Sequence, residues 1–206
     1  IEGSRLNHLS RNCIFGTDAN PRMARTAKMN MIMHGDGHGG VHHHDGLLNV
    51  NGIFENRFDV ILTNPPFGSR VEKTLKITEA DKFTDQEKIK HYTEKYGEEY
   101  TKALSQVNDN IDKPLLSLYK SGKLSTLTEV LFIERCLNLL KPGGRLGVVL
   151  PEGVLNNTNK SHALVDTLSK IEADKGIIFD YTDNAKLKES GFAIEGKTVN
   201  GFEKNG

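Results

Sequence analysis

Short apolar runs that end in polar residues alternate along this chain with stretches whose apolar positions recur every three to four residues. That alternation predicts an α/β domain with a mainly parallel sheet. Residues 12–18, carrying Cys13, Ile14 and Phe15 and ending in Asp18, form the first predicted strand. Asn20 then offers a helix cap, Pro21 suits the first helical position, and Ala24, Ala27 and Met31 repeat at helical spacing until Gly35 stops the helix.

Residues 41–45 are a weaker strand candidate ending in Asp45, and residues 57–63 a strong one, apolar enough for a central strand. The latter runs into Asn64-Pro65-Pro66-Phe67-Gly68, which cannot continue it, because two prolines remove consecutive backbone donors. Residues 70–125 then interrupt the pattern with 11 basic and 10 acidic side chains and few aliphatics. Within them residues 85–106 read as one solvated helix and the rest as loop, of a length that is usually functional or partly disordered. Order returns at Thr126, Leu127, Thr128 and Glu129, a capping-box pattern, followed by Val130, Ile133, Leu137 and Leu140 at core-facing spacing. Lys141-Pro142-Gly143-Gly144 is expected to end that helix, and residues 145–150 to form the next strand, closed by Pro151. Further on, residues 161–173 suggest a helix and 177–181 a short strand. The organisation expected is therefore a partial catalytic domain over residues 1–157, with 70–125 as an insertion, and a C-terminal tail over 158–206.

Composition narrows the partners. The chain has 206 residues, 36% hydrophobic and 26% charged, enough apolar material for a core. Lys+Arg and Asp+Glu are both 27, so nothing argues for a globally basic protein, and any nucleic-acid contact must be local. Two cysteines, Cys13 and Cys136, are too few and too far apart for a secreted disulfide scaffold. No apolar run nears the roughly 20 residues that span a bilayer, and residues 1–5 lack the layout of a signal peptide. A cytoplasmic protein without membrane association is expected. The chain opens on Ile1 rather than Met, so it is expected to be a piece of something longer.

Chemistry concentrates at three strand ends. In open α/β sheets ligands bind outside the carboxyl ends of the strands, so Asp18, Asp45 and Asn64 are expected to line one crevice. Asp18 is suited to accept hydrogen bonds from ribose hydroxyls, and Asp45 could take a donor from the adenine end of the same ligand. Both could equally be strand-terminal turn residues, a common place for Asp. The tetrapeptide is more specific. A planar exocyclic amine has its lone pair delocalised into the ring; two acceptors aimed at its N–H groups favour a pyramidal, nucleophilic nitrogen. The Asn64 side-chain oxygen and the Pro65 carbonyl, held by the rigid Pro65-Pro66 pair, provide them, and Phe67 offers a face on which an extruded base can stack.

Asn64-Pro65-Pro66-Phe67 at the end of the residue 58–63 strand resembles the catalytic motif of S-adenosylmethionine-dependent amino-methyltransferases acting on DNA. The flanking text narrows the resemblance: Phe15-Gly16-Thr17-Asp18-Ala19-Asn20-Pro21, Asp45-Gly46-Leu47, Glu129-Val130-Leu131-Phe132, Leu140-Lys141-Pro142-Gly143-Gly144-Arg145 and Val149-Leu150-Pro151-Glu152-Gly153. Taken in that order, residues 1–157 resemble the modification (methylase) subunit of type I restriction-modification systems, an N6-adenine DNA methyltransferase family. The resemblance implies a Rossmann-like methyltransferase fold, incomplete at its N-terminus, and S-adenosyl-L-methionine as cofactor, with Asp18 on its ribose and Asp45 on its adenine. It implies Asn64, Pro65, Pro66 and Phe67 as catalytic residues, with Asn64 also beside the cofactor. Double-stranded DNA with a flipped adenine is the implied substrate, and a specificity subunit, with a restriction subunit as a further candidate, the implied partners. No conventional acid or base is required, since the sulfonium makes its methyl group a ready electrophile that the enzyme chiefly orients.

Two departures accompany the resemblance. The family's glycine-rich loop, expected upstream of residue 12, is not present, so this stretch alone is expected to bind cofactor weakly or not at all. The tail after Asn157 does not match the family's continuation. The open alternatives are another planar amine (cytosine N4, an RNA base or a glutamine amide), and a non-catalytic module for nucleic-acid binding or assembly. His34, His38, His42, His43 and His44 match no zinc spacing, and no metal is expected. Gly35, Gly37, Gly39 and Gly40 follow a helix rather than a strand, the wrong side for a phosphate cradle, and read as turn residues. Lysines and arginines in the insertion are candidates for DNA phosphate contact.

Overall fold

The computed structural model describes residues 3, 5, 8, 9, 12–35, 40–123 and 125–151. The predicted elements after residue 151 lie outside them. The chain divides into two compact units, one made of residues 1–57 and 74–115, the other of 58–73 and 116–206.

In the first unit β1 (Gly16–Asp18) and β2 (Val41–His43) pair in parallel, Thr17 facing His42 and Asp18 facing His43. The crossover between them is α1 (Pro21–Met33). Its start follows the sequence reading: Asn20 accepts hydrogen bonds from the Arg22 and Met23 N–H groups at 2.9 and 3.3 Å, and Pro21 opens the helix. β1 is shorter than expected, beginning four residues later than the apolar run.

The insertion is more structured than its charge suggested. It carries two helices, α2 (Gln86–Tyr96) and α3 (Glu98–Asn108), separated by Gly97, whose φ of 58° only glycine adopts cheaply. This corrects the expectation of a single solvated helix. α3 buries Tyr100, Ala103 and Val107, and Tyr100 and Ala103 join Phe54 in a core cluster to which Phe83, Tyr92, Tyr96 and Leu104 add their flanks. The aromatic rings meet edge-on, Phe54 with Tyr96 at 5.3 Å and with Tyr100 at 5.7 Å. Buried Arg57 lies over the Phe15 ring at 3.9 Å and donates to the Tyr96 hydroxyl at 2.9 Å. Burial lowers its pKa and the tyrosine contacts oppose that shift. The stems of the insertion pair antiparallel at Lys76 and Pro114, with Ile77 donating to the Lys113 carbonyl.

In the second unit β3 (Phe58–Thr63) and β4 (Leu140–Val148) pair in parallel, Ile61 opposite Leu146 and Thr63 opposite Val148. Helix α4 (Thr128–Leu139) precedes β4 and is buried on nearly every side, Leu131 and Leu137 almost completely. Two sequence expectations change here. The helix cap is Leu127 with no side-chain acceptor, so the capping box does not form. And β4 starts at Leu140, directly after the helix; the register jumps from Phe58–Leu140 to Val60–Arg145, so Lys141 to Gly144 bulge out of the strand instead of separating it from the helix. Glu134 accepts the N–H groups of Lys120 and Ser121 at 2.8 and 2.7 Å, fixing the 3-10 turn Ser121–Lys123 on α4.

Candidate functional site

Two strand-end constellations result, one in each unit. In the first, Asp18 closes β1 and Asp45 follows β2 by two residues, so both lie at the carboxyl end of the same parallel pair. The His44 N–H donates to the Asp18 carbonyl at 3.2 Å, which ties the two strand ends together. Each carboxylate also folds its own turn: Asp18 Oδ1 accepts the Asn20 N–H at 2.7 Å and Asp45 Oδ1 accepts the Leu47 N–H at 2.9 Å. The turn role weighed from sequence is therefore real, and it uses one oxygen of each group. Asp18 is exposed and Asp45 half-buried, so a ligand's hydroxyl or amine donors can reach the acceptor capacity that remains. This is chemistry that suits the ribose and adenine of a nucleoside. The turns hold the two carboxylates in fixed orientations.

The same unit holds a cavity of about 190 Å³, which neither Asp18 nor Asp45 lines. His44, Asn49 and Asn51 line it from the segment after β2, and Phe83, Asp85 and Lys88 from the insertion. It falls below the ~300 Å³ of ordinary ligand pockets and has room for part of a nucleoside. Asp85 caps α2 by accepting the Lys88 N–H at 3.1 Å, a bond that lowers its pKa.

The histidines serve local structure. His43 Nε2 donates to the Ala19 carbonyl at 3.0 Å and His34 Nδ1 to the Asn30 carbonyl at 2.9 Å. His42 accepts from Asn51 Nδ2 at 3.5 Å, and its buried Nε2 has no partner among the described residues. Burial, then the charges of Lys28, Lys88 and His44, push its pKa down to about 4, so it is neutral at physiological pH. Among the described residues no group of three or more His, Cys, Asp or Glu could hold a metal ion. His38 lies outside them.

The second constellation is the tetrapeptide. Asn64 follows β3 directly and is exposed, Pro65 is buried, Pro66 is exposed, and Phe67 is 48% exposed. A buried proline between exposed neighbours anchors the turn. The Asn64 amide and the Phe67 ring are left at the surface. Gly68 then reverses the chain at φ 70°.

The loop is fixed at both ends. On the strand side, the Val149 N–H donates to the Thr63 carbonyl at 3.2 Å. On the other side, Thr128 donates to the Ser69 carbonyl at 3.0 Å and Val71 to the Thr126 carbonyl at 2.8 Å, around an antiparallel bridge between Arg70 and Leu127. Only Asn64 to Gly68 lie between these anchors. Sequence reasoning missed this strap, since isolated bridges carry no periodicity; Gly68 after an exposed aromatic was the available signal.

The comparison with known families bears on this loop. Residues 3–101 match the family model for N-6 DNA Methylase. The matched span is just under half of the chain and takes in Asp18, Asp45 and the whole Asn64–Phe67 tetrapeptide. It supports a DNA methyltransferase domain; that adenine is the base rests on the name of the N-6 DNA methylase family. The mixed α/β architecture with short parallel sheets agrees with such a domain. No curated protein matches this chain. No helix among the described residues is long and apolar enough to cross a membrane.

Proposed function

We propose that this chain is part of an S-adenosylmethionine-dependent DNA methyltransferase that modifies the N6 of adenine, and that the parent protein is the modification subunit of a cytoplasmic type I restriction-modification system. The observation that carries this reading is the tetrapeptide: a buried proline holds an exposed amide and an exposed aromatic at the carboxyl end of a parallel strand, inside the span that matches N-6 DNA methylases.

The residues have separable roles. The Asp18 and Asp45 carboxylates accept from the ribose and adenine of the cofactor. The Asn64 side-chain oxygen and Pro65 carbonyl accept from the target amine, and Phe67 stacks on the extruded base. When bound, the cofactor supplies an electrophilic methyl group on a sulfonium. The chain orients the amine toward it, and the amine proton leaves to water after transfer. Target choice is assigned to a specificity subunit, as in the type I systems that residues 1–157 resemble; the chain's own charge is balanced, with Lys+Arg and Asp+Glu both 27.

Equilibrium binding of labelled S-adenosylmethionine to the full-length parent protein tests the cofactor half. Asp18→Ala weakens binding at least tenfold on this reading, since a charged acceptor lost from vicinal hydroxyls costs ~1.5–3 kcal/mol. Affinity unchanged by Asp18→Ala and by Asp45→Ala would refute it.

A further inference from the structure

The tetrapeptide loop owes its shape to what holds its far end, and that end carries a side-chain bond as well as the two backbone bonds. Arg70 Nη1 donates to Thr126 Oγ1 at 3.2 Å across the antiparallel bridge. The bridge is seated: Leu127, opposite Arg70, is 8% exposed and is also the cap residue of α4. Its N–H is held by the Ser125 hydroxyl at 3.1 Å. The bridge pairs the segment that follows the tetrapeptide with the segment that leads into α4.

We infer that Arg70, clasped by Thr126, is a positioning residue for the Asn64–Phe67 loop: it sets where the Asn64 oxygen and Pro65 carbonyl stand relative to the target amine. The physical case is one of lever length. Gly68 is a free hinge, with no atom near its missing Cβ and φ at 70°. With β3 and the buried Pro65 fixed on one side, the strap that begins at Ser69 restrains rotation about that hinge on the other. The two backbone bonds fix the strap's pairing; the Arg70–Thr126 bond adds a cross-strand side-chain tie on its exposed side. A reacting geometry displaced by about 1 Å loses large factors in rate without loss of binding, so the tie acts on turnover rather than on affinity.

This inference rests on the methyltransferase reading, and the test separates the two. In the full-length protein assembled with its partner subunits, Arg70→Ala and Thr126→Val are each expected to lower kcat roughly three- to tenfold, the range of one hydrogen bond, with KM for DNA and for cofactor unchanged. The double variant is expected to be no slower than the slower single, and Thr126→Ser to retain full rate. Hydrogen exchange at the Val71 amide is expected to quicken in both single variants. Additive losses would overturn the inference, as would unchanged kcat. So would an Arg70→Ala effect confined to KM and salt dependence with Thr126→Val silent, which would make Arg70 a phosphate contact. If the wild-type complex transfers no methyl group, the functional reading fails. The exchange data then decide the strap alone: quickened exchange upholds it and unchanged exchange overturns it.

Discussion

Tyr100 is a fully buried side chain at the centre of the insertion's aromatic cluster. It is completely buried in α3, with ring contacts to Phe54 at 5.7 Å, Phe83 at 6.0 Å and Tyr92 at 5.4 Å. Replacing it with alanine deletes the ring and leaves a cavity, for a cost of about 3–5 kcal/mol that already includes most of the aromatic pairing. In a chain of this size such a loss lowers the melting temperature by roughly 6–20 °C. The phenylalanine variant isolates the other half of the argument. The Tyr100 hydroxyl is buried with no partner among the described residues, and burial pushes its pKa up to about 12. Removing an unsatisfied buried hydroxyl while keeping the ring is expected to be neutral, or stabilising by up to ~1 kcal/mol. Urea and thermal unfolding followed by circular dichroism compares both with the wild type. A Tyr100→Phe loss above ~1 kcal/mol would mean the hydroxyl has a partner, and a Tyr100→Ala loss below ~1 kcal/mol would mean the ring is not packed in a core. Either result would refute the reasoning.

Three further outcomes follow from local chemistry. His42 has a folded-state pKa near 4, below its unfolded value of about 6.5, so the unfolded chain binds the extra proton between those values. Stability is therefore full above about pH 6.5 and falls as pH drops toward 4, by ~1–3 kcal/mol after allowance for partial exposure; His42→Gln flattens that slope in urea titrations. Cys13 is exposed, whereas Cys136 is buried with its thiol pushed up to about 11, chiefly by burial. A disulfide exchange reagent at about pH 8 titrates one thiol in the folded protein and the second only on denaturation; two fast thiols would contradict the packing of α4. Gly68→Ala meets no neighbouring atom but holds an L-residue at φ 70°, so it costs ~1–2 kcal/mol and disturbs the tetrapeptide. An unchanged melting temperature and unchanged transfer rate would show that the reversal at Gly68 does not matter.

What the sequence made legible is the part governed by local rules. Asn20 and Pro21 announce α1 because capping and proline geometry act within a few residues. The apolar residues 57–63 and the two prolines announce β3 and its abrupt end for the same reason. The misreadings lie where tertiary contacts decide. Charge counting made residues 85–106 a solvated helix, yet Tyr92, Tyr96 and Tyr100 sit four residues apart and, with Ala103, supply the stripe that packs with Phe54. Aromatic spacing was the signal and aliphatic scarcity hid it. The Lys141–Gly144 tract looked like a helix stop, but β4 begins before it and absorbs it as a bulge, which depends on pairing with β3. Of the candidate site, residue identity and strand-end position were readable for Asp18, Asp45 and Asn64. Their turn-making hydrogen bonds, the burial of Pro65 and the strap behind Phe67 were not, because each depends on where the backbone places a partner.

The most direct test of the central claim is nucleoside analysis of DNA after incubation with labelled S-adenosylmethionine and the full-length parent protein with its specificity partner, beside Asn64→Ala. The account predicts label in N6-methyladenine that falls by at least a hundredfold in the variant, the scale set by loss of an acceptor that acts on the reacting amine. Label that is absent, or that appears equally with Asn64→Ala, would contradict it, and label in N4-methylcytosine would keep the role of Asn64 while overturning adenine as the substrate.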